Sequence, residues 1–217
     1  MGNAVEVRWL GRLEVRWLGR CEYEEIARAQ RERREQVLSS AASEIVWLLE
    51  HERVVTLGRR GGDVAGVEAS GIPVVQTERG GLATYHGPGQ LVGYFIVDLQ
   101  ARGWKTKYFV SGIERGIVSW LATIGIVGET ICGRPGVFVG GAKVASIGLH
   151  IRKGVSIHGF SLNCSVDLEP FSRFTACGVK GAKVTSILNE KGITVKPSSV
   201  GHGVVKKIFF EIDALHR

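Results

Sequence analysis

Much of what this chain lacks narrows its class. It has no uninterrupted apolar run near the roughly 18 residues that a membrane span needs, and no secretory signal. Glu6 breaks the M-G-x-x-x-[ST] pattern of myristoylation. Its four cysteines, Cys21, Cys132, Cys164 and Cys177, form no C-x-x-C pair and no zinc spacing. Reduced thiols in a cytoplasmic protein are the expectation. No pair among the six histidines has metal-ligand spacing with acidic or cysteine neighbours, so no metal is expected. A G-x-x-x-x-G-K-[ST] phosphate loop is also missing.

Glycine, by contrast, is abundant, with 30 in 217 residues, or roughly twice average usage. It concentrates in Arg79-Gly80-Gly81-Leu82-Ala83-Thr84-Tyr85-His86-Gly87-Pro88-Gly89-Gln90, which runs into the apolar stretch Leu91–Leu99. Glycine lets backbone N–H groups approach a ligand and permits positive φ. Gly87 to Gly93 spells G-x-G-x-x-x-G ahead of a strand, not the G-x-G-x-x-G that opens a helix in dinucleotide folds. The segment instead suits polar or anionic parts of a ligand, with a cluster of structural turns as the competing reading. A net charge of +7 favours an acidic partner: nucleic acid, an anionic membrane surface or an acidic protein.

The length suits one domain spanning residues 1–217. Glu6–Arg12 and Glu14–Arg20 both read EVRWLGR; the period of eight is too short for a solenoid, so residues 1–13 read as a duplicated extension. Only the second copy need be a core strand. Periodicity predicts helices over 22–37, 108–124, about 182–189 and 198–215, the first with Arg28, Arg31, Arg33 and Arg34 off its apolar face. Strands are expected at 44–49, 54–57, 73–76, 91–99 and 136–139, and a hairpin of 143–151 with 155–164 closes at 152–154. Adjacent strand pairs with separate helices indicate an α+β fold with a mostly antiparallel or mixed sheet.

Three residues stand out chemically. Strict alternation would place Lys143 on the face of Ala145, Ile147, Leu149 and Ile151, where desolvation favours the neutral amine that a general base needs. A lysine snorkelling from a strand end is the alternative. Cys177 precedes Gly178 at a loop-to-helix junction, where N–H donors could activate a thiolate, although a buried small hydrophobe is equally a cysteine's ordinary role. His86 sits inside the glycine segment. His150 and His158 face each other's strands, where a structural hydrogen-bonded role competes with chemistry.

Taken together, Arg79-Gly80-Gly81-x-x-Thr84-Tyr85-His86-Gly87-Pro88-Gly89-Gln90, Gly136-Val137-Phe138-Val139, Lys143-Val144-Ala145-Ser146-Ile147-Gly148, His158-Gly159-Phe160-Ser161-Leu162-Asn163, Asp167-Leu168-x-x-Phe171 and Cys177-Gly178 closely resemble the lipoyl(octanoyl) transferases. The motifs occur in that family's order over about residues 44–190. The resemblance implies the lipoate and biotin protein ligase fold, and transfer of an octanoyl group from acyl carrier protein to a lysine of a lipoyl domain. It makes Cys177 the acyl-accepting nucleophile and Lys143 its base. It assigns Arg79, Gly80, Gly81, Leu82, Ala83, Thr84, Tyr85, His86, Ser146, Ile147, Gly148, Gly159, Phe160 and Ser161 to substrate binding.

The implied partners are acyl carrier protein and the lipoyl domains of 2-oxoacid dehydrogenase E2 subunits and the glycine cleavage H protein. No cofactor is implied beyond the donor's own octanoyl-phosphopantetheine, and nucleic acid and membrane are not expected partners. Ala176 departs from the family's usual proline before the cysteine. The competing readings are an ATP-dependent lipoate or biotin ligase, which needs no nucleophilic cysteine, and a non-catalytic protein that binds an acyl chain or its carrier.

Overall fold

The computed structural model describes residues 6–11, 13–174 and 183–216. The chain runs through β1 (Glu6–Leu10), β2 (Leu13–Cys21), α1 (Tyr23–Leu38), β3 (Ile45–His51), β4 (Val54–Leu57), α2 (Ala65–Glu68), β5 (Val74–Gln76), β6 (Thr84–His86) and β7 (Gln90–Ile96). It continues with α3 (Thr106–Thr123), β8 (Glu129–Ile131), β9 (Arg134–Val139), β10 (Ala142–Arg152), β11 (Val155–Asn163), a 3-10 turn at Glu169–Arg173, α4 (Ile187–Lys191) and α5 (Pro197–Leu215). The fold is α+β with a mixed sheet. Among the described residues an eight-stranded sheet has the order β1-β2-β3-β7-β11-β10-β9-β8, and a three-stranded sheet has the order β5-β4-β6. No helix among them is long and apolar enough to cross a membrane.

Pairing is antiparallel except at β2–β3 and β4–β5. The first of these follows from α1 acting as a crossover, since a parallel pair needs a connection that returns the chain to the same end of the sheet. The two EVRWLGR copies pair with each other as β1 and β2, and β1 is the outer, exposed strand while Leu13 and Val15 of β2 enter the core.

One face of the large sheet packs on α3 and α5, where Leu91, Phe95, Phe160 and Leu162 meet Ile113, Ile117, Val204 and Ile208. The other face receives α1 through Ile26 against Ile45, Val92, Tyr94 and Ile157. Tyr23, Ile26, Ala27, Gln30 and Arg34 recur at helical spacing on the buried side of α1. Arg34, expected on the solvated face, is thus a correction: its stem lies along the sheet and Nη1 approaches His150 Nδ1 at 3.3 Å. The β10–β11 hairpin closes on Lys153 and Gly154, both at positive φ (49° and 86°), the two-residue turn whose twist matches the strands.

Candidate functional site

A cleft of about 560 Å³ opens where β9 stops pairing with β10. Beyond Ser146 the edge of β10 is taken over by the glycine segment, whose Gly80 N–H donates to Leu149 O at 2.9 Å. Tyr23 of α1 and Val110 of α3 border the cleft on its two sides.

Arg79 builds the loop wall. Its Nε and Nη2 donate to Thr56 Oγ1 at 3.1 and 2.8 Å, Nη2 also to Thr56 O at 2.6 Å, and Nη1 to Gly80 O at 3.0 Å. A buried guanidinium spending its donors on β4 and on its own loop acts as a strut. The loop then lies so close to β10 that a Cβ on Gly148 would stand 3.1 Å from Gly80 O.

Lys143 occupies the β9 end of the cleft. The expected alternation is corrected here, because a bulge falls between Lys143 and Ala145: Lys143 lies opposite Phe138, Ala145 opposite Val137 and Ser146 opposite Gly136. One extra residue, Val144, reverses the phase, so Lys143 shares a face with Ser146 and leaves the face of Ala145 and Ile147. The side chain is 7% exposed. Nζ donates to Pro135 O at 2.9 Å and lies 5.1 Å from the centre of the Phe138 ring. Gly136 leaves it room, since a Cβ there would come within 3.1 Å of Nζ.

His86 lies deeper. Its Nδ1 is 2.7 Å from Gln90 Oε1, and Gln90 Nε2 donates to Tyr85 O at 3.1 Å and to Asn163 Oδ1 at 2.9 Å. Gln90 Oε1 must therefore accept, which fixes the proton of the neutral ring on Nδ1 and leaves Nε2 as an acceptor. Asn163 Nδ2 continues the chain to Thr185 O at 2.9 Å, and Thr185 N–H donates to Lys143 O at 2.9 Å. Burial, with His51 as the next cause, pushes the His86 pKa down to about 3. Burial likewise takes His51 to about 4 and His158 to about 3. His158 sits at φ 60°, its N–H donates to Gln30 Oε1 at 2.7 Å, and its ring meets Tyr94 edge-on.

Of the residues assigned to the site from sequence, Arg79 to Thr84, His86, Lys143, Ser146 to Gly148 and Gly159 to Ser161 line this one cleft. Tyr85 does not line it. Its ring is buried beneath the small sheet, edge-on to Phe171 at 5.5 Å, because alternation along β6 sends it opposite to Thr84 and His86. Cys177 lies outside the described residues. Among the described residues that follow it, the Lys183 carbonyl accepts the Lys143 N–H at 2.8 Å. Tyr23 and Tyr94, which the sequence did not single out, also line the cleft together with His158, and Gln90 and Asn163 connect His86 to the Thr185 backbone. The positive φ of His158 left no trace in composition, whereas Gln90 and Asn163 stood within the motifs already singled out.

The lipoyl protein ligase A/B catalytic domain family matches residues 22–209. An octanoyltransferase of Xylella fastidiosa (strain 9a5c) is 44% identical over 161 residues, covering 74% of this chain and 70% of that protein. The fold is similar to a bipartite lipoate protein ligase of Thermoplasma acidophilum (TM-score 0.66, 16% identity, 94% of this chain and 84% of that one). A biotin protein ligase of Aquifex aeolicus shares it as well (TM-score 0.58, 14% identity, 92% and 69%).

Proposed function

The chain belongs to the lipoyl protein ligase A/B catalytic domain family as one of its octanoyltransferases, and on that premise we propose that it works through a Cys177 thioester with Lys143 as base. The observation that carries the reading is the buried Lys143 amine at the end of the cleft, with its backbone hydrogen-bonded to Lys183 and Thr185, six and eight positions after Cys177 in sequence. Lys143 in its neutral form takes the Cys177 proton. The thiolate attacks the carbonyl of octanoyl-phosphopantetheine on acyl carrier protein, the old C–S bond breaks, and the lysine ammonium returns the proton to the departing thiol.

The acceptor is a lysine amine of a lipoyl domain, such as those of 2-oxoacid dehydrogenase E2 subunits or the glycine cleavage H protein. It attacks the thioester, gives up its proton through Lys143 and leaves as the amide, which restores the Cys177 thiol. Backbone N–H groups of the glycine segment suit the oxyanion formed in each step. Leu149 and Phe160 with bare Gly148 and Gly159 give the acyl chain an apolar bed, and each buried methylene contributes roughly 0.8 kcal/mol. No cofactor enters this scheme.

Incubation with octanoyl-acyl carrier protein followed by peptide mass spectrometry should find the octanoyl mass on Cys177, and Cys177→Ser should lose transfer. Full transfer by Cys177→Ser, or an unmodified Cys177 during turnover, overturns the thioester route. Transfer by Cys177→Ala that requires ATP would mark an adenylating ligase instead.

A further inference from the structure

Among the described residues, the Pro135–Gly136 peptide group grips Lys143 Nζ. Pro135 O accepts from Lys143 Nζ at 2.9 Å, and on the other side of the same peptide group Gly136 N–H donates to Glu114 Oε1 at 3.0 Å. The C=O and N–H of a peptide are conjugated, so a carboxylate at the N–H raises electron density on the carbonyl and strengthens its grip on a cation.

Glu114 is itself well placed to do this. It lies on α3 midway between Gly112 and Gly116, which press against α5 so closely that a Cβ on either would stand 2.3 Å from Ile212 or Ile208. Two residues from each glycine, Glu114 projects from the opposite side of the helix, toward β9. Burial pushes its carboxyl pKa up, while the Gly136 N–H and the Lys143 charge pull it back down. Gly136 completes the fit, because its φ of 135° and lack of a Cβ let the peptide turn both polar ends to these partners.

We propose that Glu114 is a positioning residue for Lys143, acting through the Pro135–Gly136 peptide to fix Nζ at the acyl site and to favour the ammonium formed when Nζ takes a proton. This deepens the reading of Lys143 as base and rests on it. Among the described residues the charged neighbours on the packed elements include Glu114 from α3, Arg134 from β9, whose guanidinium lies over the Phe138 ring, and Lys183 from the segment paired with Lys143.

The test compares full-length Glu114→Ala and Glu114→Gln with the parent. Activity is read as kcat and KM for octanoyl-acyl carrier protein across pH, and the Lys143 side chain is followed by NMR titration in the same proteins. The alanine variant should lose about tenfold or more in kcat with KM nearly unchanged, as expected when a reacting group is misplaced. Glutamine keeps the acceptor oxygen and discards the charge. It should recover most of kcat while the acidic limb of the kcat/KM profile and the Lys143 titration both move to lower pH, by on the order of one pH unit.

A Glu114 that merely supports the fold would lower the melting temperature in both variants and leave the limb and the titration in place; that result overturns the proposal. Should the alanine variant fail to fold, the glutamine variant decides alone through those two readouts. Unimpaired transfer by Lys143→Met overturns the base reading and the catalytic consequence with it. An unmoved titration in Glu114→Gln, with transfer still dependent on Lys143, overturns the coupling alone.

Discussion

Three buried histidines give the folded state a pH dependence of definite sign. His51, His86 and His158 pack around Tyr23 and Tyr94, with His51 Nε2 2.7 Å from Tyr94 OH and Nδ1 2.9 Å from Cys21 O. Burial lowers their pKa values from 6.5 to about 4, 3 and 3 respectively. Between those values and 6.5 the unfolded chain binds the additional protons, so stability rises with pH there. The contribution is complete above about 6.5 and is lost as pH falls toward the folded values. At pH 5 each group costs on the order of 2 kcal/mol. Urea denaturation should therefore show a marked fall in stability between pH 7.5 and pH 5, and His158→Asn should shrink that difference. Equal midpoints at the two pH values in the parent chain would contradict the assignment of these histidines as neutral.

Helix α3 owes its position to two glycines rather than to its apolar stripe alone. A Cβ on Gly116 would stand 2.3 Å from the Ile208 Cα and 2.5 Å from its backbone nitrogen, atoms that cannot swing aside. Gly116→Ala should therefore destabilise by about 1–3 kcal/mol despite its better helix propensity, and denaturant midpoints measure it. A gain in stability would mean that α3 and α5 are free to separate. The three long helices were legible from periodicity to within two residues, since 22–37, 108–124 and 198–215 became 23–38, 106–123 and 197–215. The expected helix over 182–189 was not. Ser186 caps α4 by accepting from Asn189 N–H at 3.2 Å, so the helix begins at Ile187, and Val184 instead bridges to Lys143. The strand β6 was hidden because glycine flanks it, although Thr84 and His86 pair with β4. The bulge at Val144 was illegible for a different reason. Nothing in Lys143-Val144-Ala145 departs from alternation, and only the pairing with β9 adds the extra residue that turns Lys143 toward the cleft. Recognition of the motifs thus located the cleft, while the orientation of its lysine came from the sheet.

At the scale of the whole molecule the excess charge of +7 acquires a direction. Arg59 and Arg60 are exposed at the cleft, where Arg59 N–H donates to Arg79 O at 3.0 Å and Arg60 N–H to Gly81 O at 3.2 Å. Their backbones belong to the loop wall, so on the proposed reading, with acyl carrier protein as donor, their charges stand at the mouth the carrier would approach. Carrier proteins of this kind are acidic, and complementary charge acts mainly on the rate of encounter, falling as salt shortens the reach of the field to about 8 Å at physiological ionic strength. Reversing one of these arginines should therefore separate encounter from chemistry. Arg60→Glu is expected to lower kcat/KM for octanoyl-acyl carrier protein by about tenfold at low salt and by progressively less as salt rises, in keeping with a steering effect. Its rate with a small octanoyl-pantetheine thioester, which carries no acidic surface, should stay near that of the parent. Equal losses with both donors would place Arg60 in the acyl site itself. A loss confined to the carrier but indifferent to salt would point to a shape-specific contact at the rim rather than to the protein's overall field.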